Sequence, residues 1–308
     1  MKPILEIQNV TKTIKGRKII DSLSFDVNKG EVFGFLGPNG AGKTTTIRMI
    51  VGLIGITSGD IKILGDSIKT DFEKAVSHIG AIVENPEMYK FMSGYQNLLH
   101  FSRMSKGISR KKIDETVELV GLTDRIHDKV KTYSLGMRQR LGLAQCLLHD
   151  PKVLILDEPT NGLDPAGIRE IRDHLRMLAR EKGMAVIVSS HMLSEMEMMC
   201  DRIGIIQSGK LVEVQQINDF VNGNDIIYEF EVTERKEVQR LLRELYPSIK
   251  PADTNAGVAL PLKKENVPTI VKLLVEHEIQ IYGIKEVTKT LEDRFLEVTS
   301  NKEEEVHA

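Results

Sequence analysis

Tryptophan is absent, aromatic residues make up only 5% of the 308 residues, and cysteine occurs twice, as Cys146 and Cys200. The two cysteines form no CxxC and no Cys/His spacing, so they offer no metal site and read as reduced packing residues. No apolar run approaches the ~20 residues needed to span a bilayer. The start, MKPILEIQNV, lacks the basic, apolar and small-residue segments of a signal peptide. A cytoplasmic chain is therefore expected. With a net charge of -2 there is no electrostatic reason to expect nucleic acid as a partner.

What is present is ordinary for a soluble globular protein, 41% hydrophobic and 28% charged residues, at a length that suits one large domain and a smaller appended one. The stretch GPNGAGKTT, Gly37 to Thr45, satisfies G-x-x-x-x-G-K-[ST] at Gly37, Gly42, Lys43 and Thr44. A buried strand, Glu31 to Leu36, precedes it and a helix, Thr44 to Val51, follows, which is where a phosphate-binding loop must sit. The backbone N–H groups of Gly37, Asn39, Gly40, Ala41, Gly42 and Thr45, with the helix N-terminus, would cradle phosphates, while Pro38, which has no N–H, lends its fixed turn. Lys43 adds a point charge, and the Thr44 hydroxyl is placed to ligate Mg²⁺.

Before that loop, residues 4–10 and 19–27 alternate as antiparallel strands about a polar turn, and after it residues 75–83 give one more strand candidate ending at Glu84-Asn85-Pro86. From Met88 to His149 the apolar spacing is helical. Ser134, opening the helix of YSLGMRQR, has N-cap chemistry, and a capped helix N-terminus is an anion site on electrostatic grounds. Lys152 to Thr160 is a continuous apolar strand that delivers Asp157 and Glu158 at its C-terminal end, the usual ligand position of an open parallel sheet. Asp157 suits Mg²⁺ held through water, and Glu158 suits polarising the water that attacks a γ-phosphorus. A helix over 166–181 follows, then a strand, Ala185 to Ser189, that stops at Ser190-His191, from which an imidazole can reach a γ-phosphate.

Residues 200–206 and 210–214 predict a terminal hairpin, and the polar Asn222-Gly223-Asn224-Asp225 predicts a boundary. Beyond it the pattern reads β-α-β-α-β over residues 226–285, a small α/β sandwich without a catalytic constellation. Residues 301–308 read as a solvated tail.

In order, GPNGAGKTT, YSLGMRQR, VLILDEPTNGLD and SSH resemble the Walker A, signature, Walker B with D-loop, and switch-histidine motifs of ABC-type ATPases. The resemblance covers residues 4 to about 220. It implies an α/β P-loop nucleotide-binding domain at 1–222 with a β-subdomain and a helical subdomain at about 86–150, and an accessory α/β domain at 223–300. By it, ATP and Mg²⁺ are bound, and Thr44, Asp157 and Glu84 are the metal-side residues. Catalysis falls to Glu158 and His191, and coupling to Glu84 and Asp164. Two copies close head to tail, so that Ser134 and Gly136 of one touch the γ-phosphate on Lys43 of the other. Separate membrane-spanning permease chains are the partners, which puts this chain at the cytoplasmic face of the membrane. Glu84 in AIVENPEMY, where other members carry glutamine, resembles the ATPase subunits of bacitracin-resistance and lantibiotic-immunity exporters, and residues 290–296 resemble a drug-exporter C-terminal extension.

Two further positions depart from the wider pattern. Ile14 falls where an aromatic usually stacks on adenine and offers no π-face. Leu135 replaces a signature glycine, so any positive φ there would be penalised. The competing readings are a non-transport ABC ATPase acting on ribosomes or DNA, and a binding module that switches on ATP without turnover. The chain carries neither the second cassette nor the coiled-coil or hook insertions of the former, and Glu158 argues against the latter.

Overall fold

A computed structural model describes residues 3–217, 219, 226–246, 249 and 251–287. Contacts within the chain gather into two compact units, Met1–Gln216 and Ile217–Ala308. The sequence-expected boundary at 222–225, residues 290–296 and the tail at 301–308 lie outside the described residues.

The first unit is built on two sheets. Strands β1 (Leu5–Ile14), β2 (Arg17–Val27), β4 (Ser58–Ile63) and β5 (Asp66–Ser67) form an antiparallel sheet in the order β2-β1-β4-β5. Its first hairpin turns on Lys15 and Gly16, at φ 49° and 80°, the two left-handed residues that a tight turn between twisted strands requires. Strands β3 (Val32–Leu36), β6 (Ile79–Ile82), β7 (Val153–Asp157), β8 (Ala185–Ser190), β9 (Arg202–Gln207) and β10 (Lys210–Gln216) form the second sheet, in the order β10-β9-β3-β8-β7-β6. All of its pairings are parallel except the terminal β9–β10 hairpin. Every residue of β3, β7 and β8 is buried, the reason these strands read as unbroken apolar runs. Phe25 of β2 stacks on Phe33 and Phe35 of β3, with ring centroids 5.1 and 5.5 Å apart, so the two sheets share a core.

Helix α1 (Lys43–Ile50) leaves the loop after β3 and buries Ile47, Met49 and Ile50 in that core. Helix α2 (Phe72–Val76) occupies part of the stretch expected as a strand over 75–83, and only Ile79–Ile82 is extended. Ala75 and Val76 are as apolar in a helix as in a strand, and a run this short does not separate the two periods. Within the expected helical region lie α3 (Gly94–Ser102), α4 (Arg110–Leu119) and α5 (Leu135–Leu147). Each begins on a serine, Ser93, Ser109 or Ser134, whose hydroxyl accepts an amide of the first turn. Helix α6 (Pro165–Lys182) joins β7 to β8, and α7 (Leu193–Met199) joins β8 to β9. Cys146 and Cys200 are buried free thiols, and burial pushes the Cys146 thiol up to about 12 and the Cys200 thiol higher still, which makes both chemically quiet.

The second unit comprises β11 (Ile226–Val232), α8 (Arg235–Leu245), β12 (Ala252–Asp253), β13 (Gly257–Leu262), α9 (Val267–Glu276) and β14 (Ile281–Val287). Its sheet order is β12-β13-β11-β14 with antiparallel pairings throughout, a split βαβ arrangement. The sequence pattern predicts three strands here; the added one, β12, spans two residues and is too short to show alternation. Phe230 is fully buried beside Leu242, Leu260 and Leu274 at the centre of this unit's own core.

Phe230→Ala should therefore cost this core about 3–5 kcal/mol. Amide hydrogen exchange is expected to quicken in β11, β13 and β14 while β3, β7 and β8 keep their protection. Equal loss of protection in both sets would mean that the two units unfold as one.

Candidate functional site

Parallel alignment puts the exits of β3, β8, β7 and β6 side by side at one edge of the sheet, and each exit carries a sequence-singled residue: Lys43, His191, Glu158 and Glu84. Adjacent strands lie about 4.8 Å apart. The loop after β3 is shaped by its packing. A Cβ on Gly37 would lie 2.3 Å from the Ile206 carbonyl oxygen. Gly42 combines φ +113° with only 2.4 Å to Ile20 Cδ1, so a side chain is excluded there both sterically and by backbone strain. Gly42 is also the N-cap of α1, so the first amides of that helix open into the loop.

Lys43 is 6% exposed, and its Nζ donates to the carbonyl oxygens of Gly37 (2.7 Å) and Pro38 (3.4 Å) and lies 3.8 Å from Glu158 Oε1. Burial holds its ammonium below the usual lysine range, a shift that Glu158 and then Asp157 oppose. Glu158 Oε2 meets His191 Nδ1 at 2.8 Å. One carboxylate thus faces a buried ammonium through one oxygen and a half-exposed imidazole through the other. Glu158 adopts a left-handed φ of 51°, uncommon for a side-chain-bearing residue. The conformation is held because its amide donates to both the carbonyl (3.2 Å) and the hydroxyl (3.0 Å) of Ser189.

Asp157 is 4% exposed, and its Oδ1 accepts from Ser189 Oγ at 2.5 Å. The cleft above these groups is lined by Ile19, Pro38, Asn39, Gly40, Gly42, Lys43, Thr44, Thr45, Glu158, Asn161 and His191. Ile19 and Asn161 were not singled out from sequence; as a strand hydrophobe and a turn polar residue they carry no local signal. Ala41 is buried beneath the same loop. Ile14 ends β1, 43% exposed, and is not part of the lining.

Further sequence-singled residues lie elsewhere. Ser134 caps α5, its Oγ accepting from the Met137 amide at 3.2 Å, and neither it nor Gly136 lines the cleft of its own chain. The added Cβ at Gly136 would have 3.9 Å to Leu163, so this helix start abuts the 161–164 turn. Leu135 is the first residue of α5 and is not among the residues with positive φ, so its replacement of glycine carries no backbone penalty. Asp164 caps α6 by accepting from the Gly167 amide at 2.8 Å. Glu84, at φ 69°, pairs with Arg48 of α1 at 2.5 Å and does not line the cleft.

The serines of SSH, the upstream Thr160 and the downstream Glu195 also join the site's framework. Thr160 Oγ1 donates to Glu195 Oε2 at 2.5 Å, and Ser190 Oγ reaches the same oxygen at 3.4 Å. Glu195 is one of two acids in α7 (Leu-Ser-Glu-Met-Glu-Met-Met), and only its burial sets it apart from the exposed Glu197.

Comparison with known proteins agrees with this geometry. The family described as ABC transporter matches residues 20–161. The chain is 65% identical over 306 residues to the uncharacterized ABC transporter ATP-binding protein YhcH of Bacillus subtilis (strain 168), covering 99% of each. It is 39% identical to the bacitracin transport ATP-binding protein BcrA of Bacillus licheniformis, over 97% of this chain and 98% of that one. Among solved structures, cbiO1 from Clostridium perfringens, described as part of the ABC transporter complex cbiONQ, aligns with a TM-score of 0.66 at 25% identity, over 80% of this chain and 97% of that one. Likeness of this degree along nearly the whole length shows that the chain belongs to the ABC transporter ATP-binding proteins and is an ATPase of that family.

Proposed function

We propose that this chain is the motor subunit of an exporter for antimicrobial peptides of the bacitracin or lantibiotic type. It works as a head-to-tail nucleotide-sandwich dimer at the cytoplasmic face of the membrane, with separate membrane-spanning chains. The observation that carries the reading is the convergence of Lys43, Glu158 and His191 in one cleft, Lys43 and His191 each against an oxygen of the same carboxylate. The peptide-antibiotic cargo is supported by the bacitracin transport relative, which matches both units of the chain.

In this reading the ATP phosphates lie on the amides of residues 37–45, and Lys43 exchanges its neighbour Glu158 for the γ-phosphate. Glu158 Oε1, the oxygen so released, then accepts the proton of the attacking water, whose oxygen bonds the γ-phosphorus as the bond to the ADP oxygen breaks and ADP leaves with that electron pair. His191, 2.8 Å from Glu158, contacts the γ-phosphate and keeps the carboxylate aimed. Thr44 and the buried Asp157 supply oxygen donors, the chemistry a hard divalent cation takes. Among the described residues no group of three or more His, Cys, Asp or Glu could hold a metal alone. Mg²⁺ would thus keep phosphate and water ligands, as is usual for it, and it would neutralise phosphate charge. Ser134 and Gly136 reach the γ-phosphate of the partner's nucleotide, and Ile14 lies on the adenine side without a ring to stack on it.

Glu158→Gln is expected to keep ATP binding and lower turnover by ~10²–10⁴-fold, because the amide cannot accept the water's proton. In cells that make the permease chains it should also abolish bacitracin resistance at equal expression. Turnover within about threefold of the parent would remove Glu158 from the chemistry.

Lys43→Met removes a buried cation whose desolvation is only partly offset. The nucleotide-free protein should melt at the same temperature or higher, and ATP should no longer raise that temperature. A normal ATP-induced shift would count against the phosphate site.

Glu84→Gln should leave ATP affinity near normal while changing both turnover in the assembled transporter and resistance in cells. Unchanged values for both would return Glu84 to the role of a surface partner of Arg48.

A further inference from the structure

The backbone ladder between β7 and β8 ends at the pair Asp157↔Ser189. The two groups assigned to the reaction, Glu158 and His191, stand beyond that last rung. Glu158 retains its bonds to Ser189, but the next residue, Pro159, has no N–H to give. His191 is separated from the ladder by Ser190. Something other than sheet pairing must keep the exits together at the 2.8 Å contact between Glu158 and His191.

Glu195 lies beneath them. It is 4% exposed, and its Oε2 accepts from Thr160 Oγ1 at 2.5 Å, on the β7 exit, and from Ser190 Oγ at 3.4 Å, on the β8 exit. Ser190 Oγ in turn accepts the Met192 amide at 2.9 Å, just past His191, and the Asn161 amide returns to the Glu158 carbonyl at 3.1 Å. The other oxygen, Oε1, is buried with no hydrogen-bond partner among the described residues. Burying a carboxylate in this way is costly, and a core of this apolarity would be better served by leucine or methionine if packing were the only demand.

We infer that Glu195 is a positioning residue for hydrolysis: its single acceptor oxygen clips Thr160 and Ser190 together and so fixes Glu158 against His191. It touches neither nucleotide nor water. The inference rests on the catalytic reading of Glu158 given above.

The test uses the full-length chain and compares Glu195→Gln, Glu195→Leu and Glu158→Gln for thermal melting, nucleotide affinity, KM and kcat. Glutamine keeps the shape and the accepting oxygen, and its NH2 takes the place of the unpartnered Oε1; leucine keeps only bulk. In a folded Glu195→Leu protein kcat should fall by ~10–100-fold, as misplacement of a reacting group by about an ångström does, with KM and affinity within about threefold. Glu195→Gln should restore kcat to within about threefold of the parent. If the leucine variant does not fold, Thr160→Val against Thr160→Ser reads the same bond from its other end, serine being active and valine slow. The inference is overturned by a folded leucine variant with parental kcat, by a glutamine variant as slow as leucine, or by a change that falls on KM alone. If Glu158→Gln itself hydrolyses ATP normally, the catalytic reading fails. If Glu158→Gln is slow and Glu195→Leu is not, only the positioning role fails.

Discussion

A buried ammonium cannot be left without anions, and the Lys43 side chain sets that demand at the centre of the first unit. Two carbonyl oxygens of its own loop meet part of it, and Glu158 meets part at 3.8 Å. For unit charges at about 4 Å, attraction is ~4 kcal/mol at an effective dielectric of 20 and ~1 kcal/mol in water. Burial still holds the lysine below its usual range, so the compensation is incomplete. A γ-phosphate carries more negative charge than one carboxylate and brings its own oxygens to the helix amides. The nucleotide-free site is therefore built with an unmet preference for an anion. In the proposed reaction Glu158 is the group that yields to it, and its release from Lys43 leaves Oε1 free to face water.

The architecture follows from where such a demand can be met. Strands buried on both faces must be nearly all apolar, so chemistry can only stand at their ends. The order β3-β8-β7 puts the lysine loop, the histidine and the glutamate on neighbouring exits, although they lie far apart in the chain. Ser189 ties Asp157 and the Glu158 amide into that edge with one hydroxyl, and thereby holds Glu158 in its left-handed conformation. Such a conformation costs on the order of 1–2 kcal/mol for a residue with a Cβ. Two amide bonds to Ser189 and the contacts to Lys43 and His191 make up the difference.

What was legible in the sequence was what local chemistry dictates. The glycines of the loop, the acids at the end of an apolar strand and the Ser134 cap announce themselves, because a backbone conformation, a strand end or a helix start requires them. Where two periods coincide, as at Ala75 and Val76, or where a strand has two residues, as at Ala252–Asp253, the pattern carries too few positions to decide. Thr160, Ser190 and Glu195 are illegible for another reason. Their partners are 35 and 5 positions away, and only the return of α7 under the sheet edge brings the carboxylate to both hydroxyls. Ile19 is similar: it reads as one more strand hydrophobe until the hairpin carries it to the rim of the cleft.

Glu84 stands apart from the cleft. It leaves β6, three strand spacings from β3, roughly 14 Å across the sheet edge, and its carboxylate turns to Arg48 in the last turn of α1. Both side chains are substantially exposed, 43% and 64%, and a surface pair of this kind is worth ~0–1 kcal/mol. The attraction of a cation partly shielded from water, ~4 kcal/mol per unit charge at 4 Å, exceeds that by severalfold. The Arg48 pair thus holds Glu84 weakly; in the proposed function a cation arriving with nucleotide would undo it, and because Arg48 sits on the helix whose first turn carries Lys43, that exchange would tie nucleotide occupancy to both ends of α1.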